Sequence, residues 1–123
     1  MYEFNIKTVL PTLNEYVNAE RRNRFIAAKM KKEFTETCSE CALQMPKLPE
    51  QYRYDIEVFW TLPNNMKDPD NVFFGIKFIL DGVVAAGKIK GDGMKQFRNI
   101  FHRPFVVKGE YEVVVRFNPI MGE

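Results

Sequence analysis

The sequence predicts a single α+β domain spanning residues 1–123, a mixed β-sheet with helices packed on it, and three observations carry that prediction. Two segments rich in β-formers, residues 2–10 and 52–62, alternate apolar and polar side chains. Each is followed by a segment with helical spacing, and two strand-like runs close the chain. The predicted order is therefore β-α-β-α-β-β. With 123 residues, 46% apolar and 28% charged, the chain can bury one core but not two, and it contains no repeat or low-complexity tract.

Residues 2–10 read as a half-buried strand stopped by Pro11. A polar segment with Asn14, Tyr16 and Asn18 leads into a helix from about residue 19 to 45, which Pro46 ends, with Pro49 marking the connector. In the second strand, residues 52–62, Tyr52, Tyr54, Ile56, Val58 and Trp60 share one face. It delivers the chain to an acidic loop, residues 64–69. Asp70 reads as the N-cap of the next helix, which runs to about Ala86 and is broken by Gly87. Val72, Ile76, Ile79, Leu80 and Val83 give that helix its apolar stripe, and Lys77 and Asp81 share the face of Asp70. Residues 97–107 and 110–117 read as two strands joined through Gly109 in a hairpin.

Composition narrows the function classes. There is no basic leader followed by a long apolar segment, and Lys77 and Asp81 cut the longest apolar stretches far short of a membrane span, so the protein is expected in the cytoplasm. Cys38 and Cys41 form one CxxC late in the first helix, and the sole histidine, His102, falls in a strand. A structural zinc needs about four ligands, so the pair reads as two buried or half-buried thiols. The formal charge is only +2. Its distribution says more: Arg21, Arg22, Arg24, Lys29, Lys31 and Lys32 cluster early, and Lys88, Lys90, Lys95, Arg98, Arg103 and Lys108 recur later, the pattern of a solvated helix face or of a polyanion contact.

The chemistry-bearing residues are acids. Asp68 and Asp70 lie two apart on a Pro-punctuated loop, and Asp92 sits between Gly91 and Gly93 in a second loop. Carboxylate oxygens without His or Cys suit Mg²⁺ or Mn²⁺, whose octahedra are commonly completed by water and substrate phosphate. The expectation is that the three converge on one hard cation. A solvated turn with an N-cap is the alternative for Asp68 and Asp70. An EF-hand is excluded, because Val72 and Phe73 occupy its fifth and sixth loop positions counted from Asp68.

Asp68-x-Asp70-Asn71, Lys77 four residues before Asp81, and Asp92 eleven residues after Asp81 together resemble the RusA-type Holliday junction resolvases, including their prophage members. The resemblance is strongest from residue 52 to 117. It implies a homodimer that binds branched DNA and resolves four-way junctions by paired symmetric nicks, with Mg²⁺ or Mn²⁺, in recombination and repair. It assigns the metal ligands to Asp68, Asp70 and Asp92, places Lys77 beside them as a charge-stabilising catalytic residue, and leaves Asn71 as a support for an aspartate or a metal-bound water. Arg21, Arg22, Arg24, Lys88, Lys90, Lys95 and Arg98 become the candidate DNA contacts. The chain departs from the family in two places: the usual Lys position falls on Phe74, and Gly91 stands where many members carry another acid. The competing classes are a branched-DNA-binding module without cleavage and a phage protein-interaction domain.

Overall fold

The computed structural model describes residues 1–122. Its elements run β1 (Tyr2–Ile6), α1 (Leu13–Arg22), α2 (Arg24–Ala42), β2 (Tyr54–Leu62), α3 (Pro69–Phe73), α4 (Ile76–Ala85), β3 (Phe97–Val106) and β4 (Glu112–Pro119). The strands form one mixed sheet in the order β1-β4-β2-β3, with β2 and β3 parallel and β4 antiparallel to both of its neighbours. The expected α+β class and mixed sheet are thus present. The hairpin is not: β3 and β4 do not pair. After β3 the chain crosses the end of β2, where Val107 N–H donates to the Leu62 carbonyl and Gly109 N–H to that of Pro63, and β4 then descends on the far side of β2.

Alternation explains which strand lies where. Tyr54, Ile56, Val58 and Trp60 of β2 and Val113, Val115 and Phe117 of β4 are essentially inaccessible, as central strands require, and face the helices. The opposite face of the sheet carries Glu57, Phe59, Arg103 and Arg116 and, among the described residues, has no helix over it. Most of β3 is exposed. Its bonding phase follows from Val107, whose N–H points at β2: residues 101, 103 and 105 also bond inward, while 100, 102, 104 and 106 point outward. Pro104 therefore sits where its missing N–H costs no bond to β2, the usual place for a strand proline.

The helices depart from the expected boundaries. The segment around Asn14, Tyr16 and Asn18 is helical, because Thr12 and Glu15 form a reciprocal capping box that starts α1. What looked like one helix is two. Asn23 is extended, and its Oδ1 accepts from Phe25 N at 2.7 Å, a local bond that ends α1 and caps α2. The second helical stretch has Asp68 as its N-cap, two residues earlier than the expected Asp70, with Pro69 at its first position, and divides at Phe74 and Gly75. Gly87, at φ 71°, ends α4 as expected. No helix among the described residues is long and apolar enough to cross a membrane.

Cys38 is buried and Cys41 half-buried, both as free thiols. Burial pushes the Cys38 thiol up to about 12, so it stays protonated and unreactive at neutral pH. Cys38 of α2 also packs directly against Gly82 of α4. A Cβ on Gly82 would lie 2.5 Å from the Cys38 Cβ and 2.8 Å from backbone atoms of Cys38 and Ser39. Backbone on the far side leaves no rotamer to yield, so Gly82→Ala should destabilise the protein by about 1–3 kcal/mol. Chemical denaturation of the two proteins checks this, and an unchanged midpoint would contradict the packing described.

Candidate functional site

β2 ends at Leu62, and the chain then runs through an exposed loop into α3. Asp68 is the N-cap residue of α3 but makes no side-chain cap bond, and Asp70 lies in its first turn. Both are exposed. Among the described residues neither carboxylate makes a hydrogen bond or ion pair, and the same holds for Asp92. The acids of the sheet behave differently: Asp55 holds Arg98, Glu57 holds Arg103 and Asn118, and Glu3 holds Arg116. The carboxyls of Asp55 and Glu57 are accordingly drawn below their usual range, chiefly by the arginine hydrogen bonds.

α3 is pinned at both ends. Asn71 Oδ1 accepts from Asn14 N at 2.8 Å, tying α3 to the start of α1. Asn71 is therefore spent on joining two helices, and this carbonyl is not turned to a metal ligand. Nearby, Lys67 Nζ lies 3.8 Å from Glu15. At the other end Phe73 stacks on His102 at 4.4 Å and 8°, and His102 Nδ1 accepts from Trp60 Nε1 at 3.0 Å. Half-burial pushes the His102 pKa down, so the ring is neutral at pH 7 and its expected strand position becomes a packing role. The unfolded chain binds that proton more readily than the fold, so stability should be lost as pH falls through about 6.5. Thermal unfolding at two pH values tests this: His102→Gln keeps an acceptor for Trp60 without a titrating ring, and its midpoint should fall less than that of the parent. Equal falls would remove His102 from the acid sensitivity.

Asp92 does not join the other two acids within one chain. β2 and β3 are parallel, so α3 and α4 carry the chain from the C-terminal end of β2 back to its N-terminal end before β3 begins. Gln96 O accepts from Tyr54 N, and Leu48 N donates to Lys88 O, which fixes the Asp92 loop at that opposite end. Nine residues of β2 separate the two loops, roughly 26 Å of strand. No group of three or more His, Cys, Asp or Glu able to hold a metal occurs among the described residues. The expected convergence of Asp68, Asp70 and Asp92 is corrected by this parallel crossover.

Lys77 is also placed differently. Its Nζ lies 3.8 Å from Asp81, the next turn along α4, so the ammonium points away from Asp70. Of the basic candidates, Arg98 is held by a two-pronged pair with Asp55 and Lys90 lies 3.3 Å from Glu50. Lys95 remains exposed and Lys88 is half-exposed. Arg21, Arg22 and Arg24 are all exposed at the α1–α2 junction, where Arg24 lies over the ring of Phe25, itself 69% exposed. A cavity of about 160 Å³ adjoins the acidic loop, walled by Leu10, Leu62, Val72 and Tyr111 with Lys67 at its lining. No sequence signal marks it, because its walls come from four separate segments.

No family model matches this chain, and no curated protein matches it.

Proposed function

We propose that the protein is a divalent-metal-dependent endodeoxyribonuclease that nicks four-way DNA junctions, working as a homodimer in the cytoplasm of a bacterium or phage-infected cell. The observation that carries the reading is the exposed, uncommitted pair Asp68 and Asp70 at the mouth of β2, in a sequence pattern that resembles the RusA-type resolvases. An oxygen-only donor set suits Mg²⁺, which commonly takes one or two carboxylates plus substrate phosphate oxygens. Bound there, Mg²⁺ would supply Lewis-acid polarisation of a scissile phosphate.

The chain's own residues divide the remaining work. Asp68 and Asp70 hold the cation and so fix where a phosphate docks. Asn71 and the Phe73–His102 stack keep α3 from moving as charge accumulates. Arg21, Arg22 and Arg24 contact phosphates away from the cut, giving affinity without base readout. Asp92 serves the site only from a second copy, because about 26 Å of strand separates it from the pair in its own. Two copies also provide the two sites that paired nicks need. Lys77, paired with Asp81, acts in this reading only after leaving that ion pair.

The test uses a labelled four-way junction and a matched linear duplex, each with Mg²⁺ or with EDTA. Paired nicks that require both junction and metal are expected. Intact strands with Mg²⁺ and Mn²⁺, from folded protein that still shifts the junction, would replace this reading with the binding module.

A further inference from the structure

From Glu20 to Ile26 every residue is exposed, so the elbow between α1 and α2 stands out from the fold. The cause is local: Asn23 ends one helix and caps the next, and the first buried side chain after it is Ala27. The elbow presents Arg21, Arg22 and Arg24 together with Phe25 and Ile26, which are 69% and 40% exposed. Arg24 lies over one face of the Phe25 ring, 5.2 Å from its centroid, and the exposure of the ring leaves its other face open. Phe25 lies outside the hydrophobic core, so packing does not account for an aromatic side chain there.

Charge indicates what the open face receives. On the sheet, Arg98, Arg103 and Arg116 are each held by a carboxylate. Among the described residues none of the three elbow arginines has a carboxylate partner. Between residues 20 and 26 they face a single acid, Glu20, which leaves a surplus of positive charge. An exposed ring edged by uncommitted arginines suits an unpaired nucleobase, stacked on the ring, with its flanking phosphates on the guanidinium groups. A membrane surface fits less well. An interfacial helix gives its apolar face to lipid, and that of α2 is spent on α4, where Phe34 packs on Phe78 and Cys38 on Gly82.

The elbow also lies on a route from the acidic pair. Asn14 N–H, at the start of α1, donates to Asn71 of α3, next to Asp70. Ten residues of α1 follow, which sets the elbow about 15 Å along the helix axis from that tie. Exposed Asn14, Asn18 and Arg21 fall within about 60° on one face of α1, and Glu20 is turned at least about 100° from them. Glu15, nearer to that face, is paired with Lys67. At about 3.4 Å per base step the distance corresponds to roughly four nucleotides.

We propose that the elbow is a stacking platform for an unpaired nucleobase, with Phe25 as the stacking ring and Arg21, Arg22 and Arg24 on the adjoining phosphates. The inference deepens, and rests on, the nuclease reading: the base belongs to a DNA strand that leaves the acidic pair and is unpaired roughly four nucleotides from it. Branched DNA with an unpaired stretch is then a better ligand than a fully paired duplex.

The intact protein carrying Phe25→Trp supplies the probe, because Trp60 is fully buried and the introduced indole is exposed. Oligo(dT) of about twelve nucleotides, within the usual site size, should quench that indole, and an abasic strand of the same length should not. In fluorescence anisotropy with labelled oligo(dT), Phe25→Ala should weaken binding about 10-fold and Phe25→Tyr should retain it. Leu43→Ala, an exposed apolar site at the far end of α2, should leave binding unchanged. Equal quenching by the abasic strand, or parental affinity in a folded Phe25→Ala protein, would overturn the platform. So would tighter binding of oligo(U) than of oligo(dT), or quenching by phosphatidylserine vesicles in place of DNA. Oligo(dT) binding as described, by a parent that never cuts a junction, would sustain the platform and sink the nuclease reading; junction cleavage by a parent whose Phe25→Ala variant binds oligo(dT) equally would do the reverse.

Discussion

Asp70→Asn should lower junction cleavage by about a thousand-fold while leaving junction binding intact or slightly tighter. Asparagine keeps the shape and the helix position of Asp70, which makes no bond that the substitution would break. What it removes is one negative charge and the better of the oxygen donors for a hard cation. Groups that merely support metal ligands cost about 10–100-fold when lost, so a ligand should cost more. Binding should follow the opposite trend, because a carboxylate facing phosphates repels them until metal is present. Single-turnover cleavage and a native gel shift, both on a labelled junction, check the two halves. An Asp70→Asn protein with near-parental cleavage would remove Asp70 from the chemistry, and one that no longer binds would make it a structural or DNA-contact residue.

Much of the fold is legible in the sequence because its elements obey local rules. The alternation of Tyr54, Ile56, Val58 and Trp60 marks β2, and the stripe of Val72, Ile79, Leu80 and Val83 marks the helical return. The break at Asn23 was hidden because one asparagine in a helical pattern normally points outward, and only its bond to Phe25 N shows that it caps. The missing hairpin has a nonlocal cause. Gly109 signals a turn, yet a turn does not say whether the next strand lies beside the last or crosses to another. The sequence held one clue: Pro104 within a strand indicates an outer position, and the inaccessible Val113, Val115 and Phe117 need a central one.

The site was legible as residues and not as an arrangement. Acidic loops, their separation by a helix and the choice of a hard cation follow from residue types. Convergence of all three acids assumed that both loops occupy one end of the sheet. A parallel β2–β3 pair makes that impossible, since the crossover returns the chain to the end it started from. Asn71 and Lys77 sit differently from the expectation for a smaller reason: each has a near partner, Asn14 and Asp81.

The central claim, that cleavage uses Asp68 and Asp70 of one copy with Asp92 of another, predicts that two inactive proteins restore each other. Asp70→Asn and Asp92→Asn homodimers should each be inactive, because every site carries one defect. In a heterodimer both defects fall in the same site, and the second site has all three aspartates. Purified through two different affinity tags, such heterodimers should recover about half of the active sites. They should cut one strand per junction and not two. Recovery of single nicks on a labelled junction is the predicted result. Verified heterodimers as inactive as their parents, alongside an active wild-type dimer, would contradict the shared site.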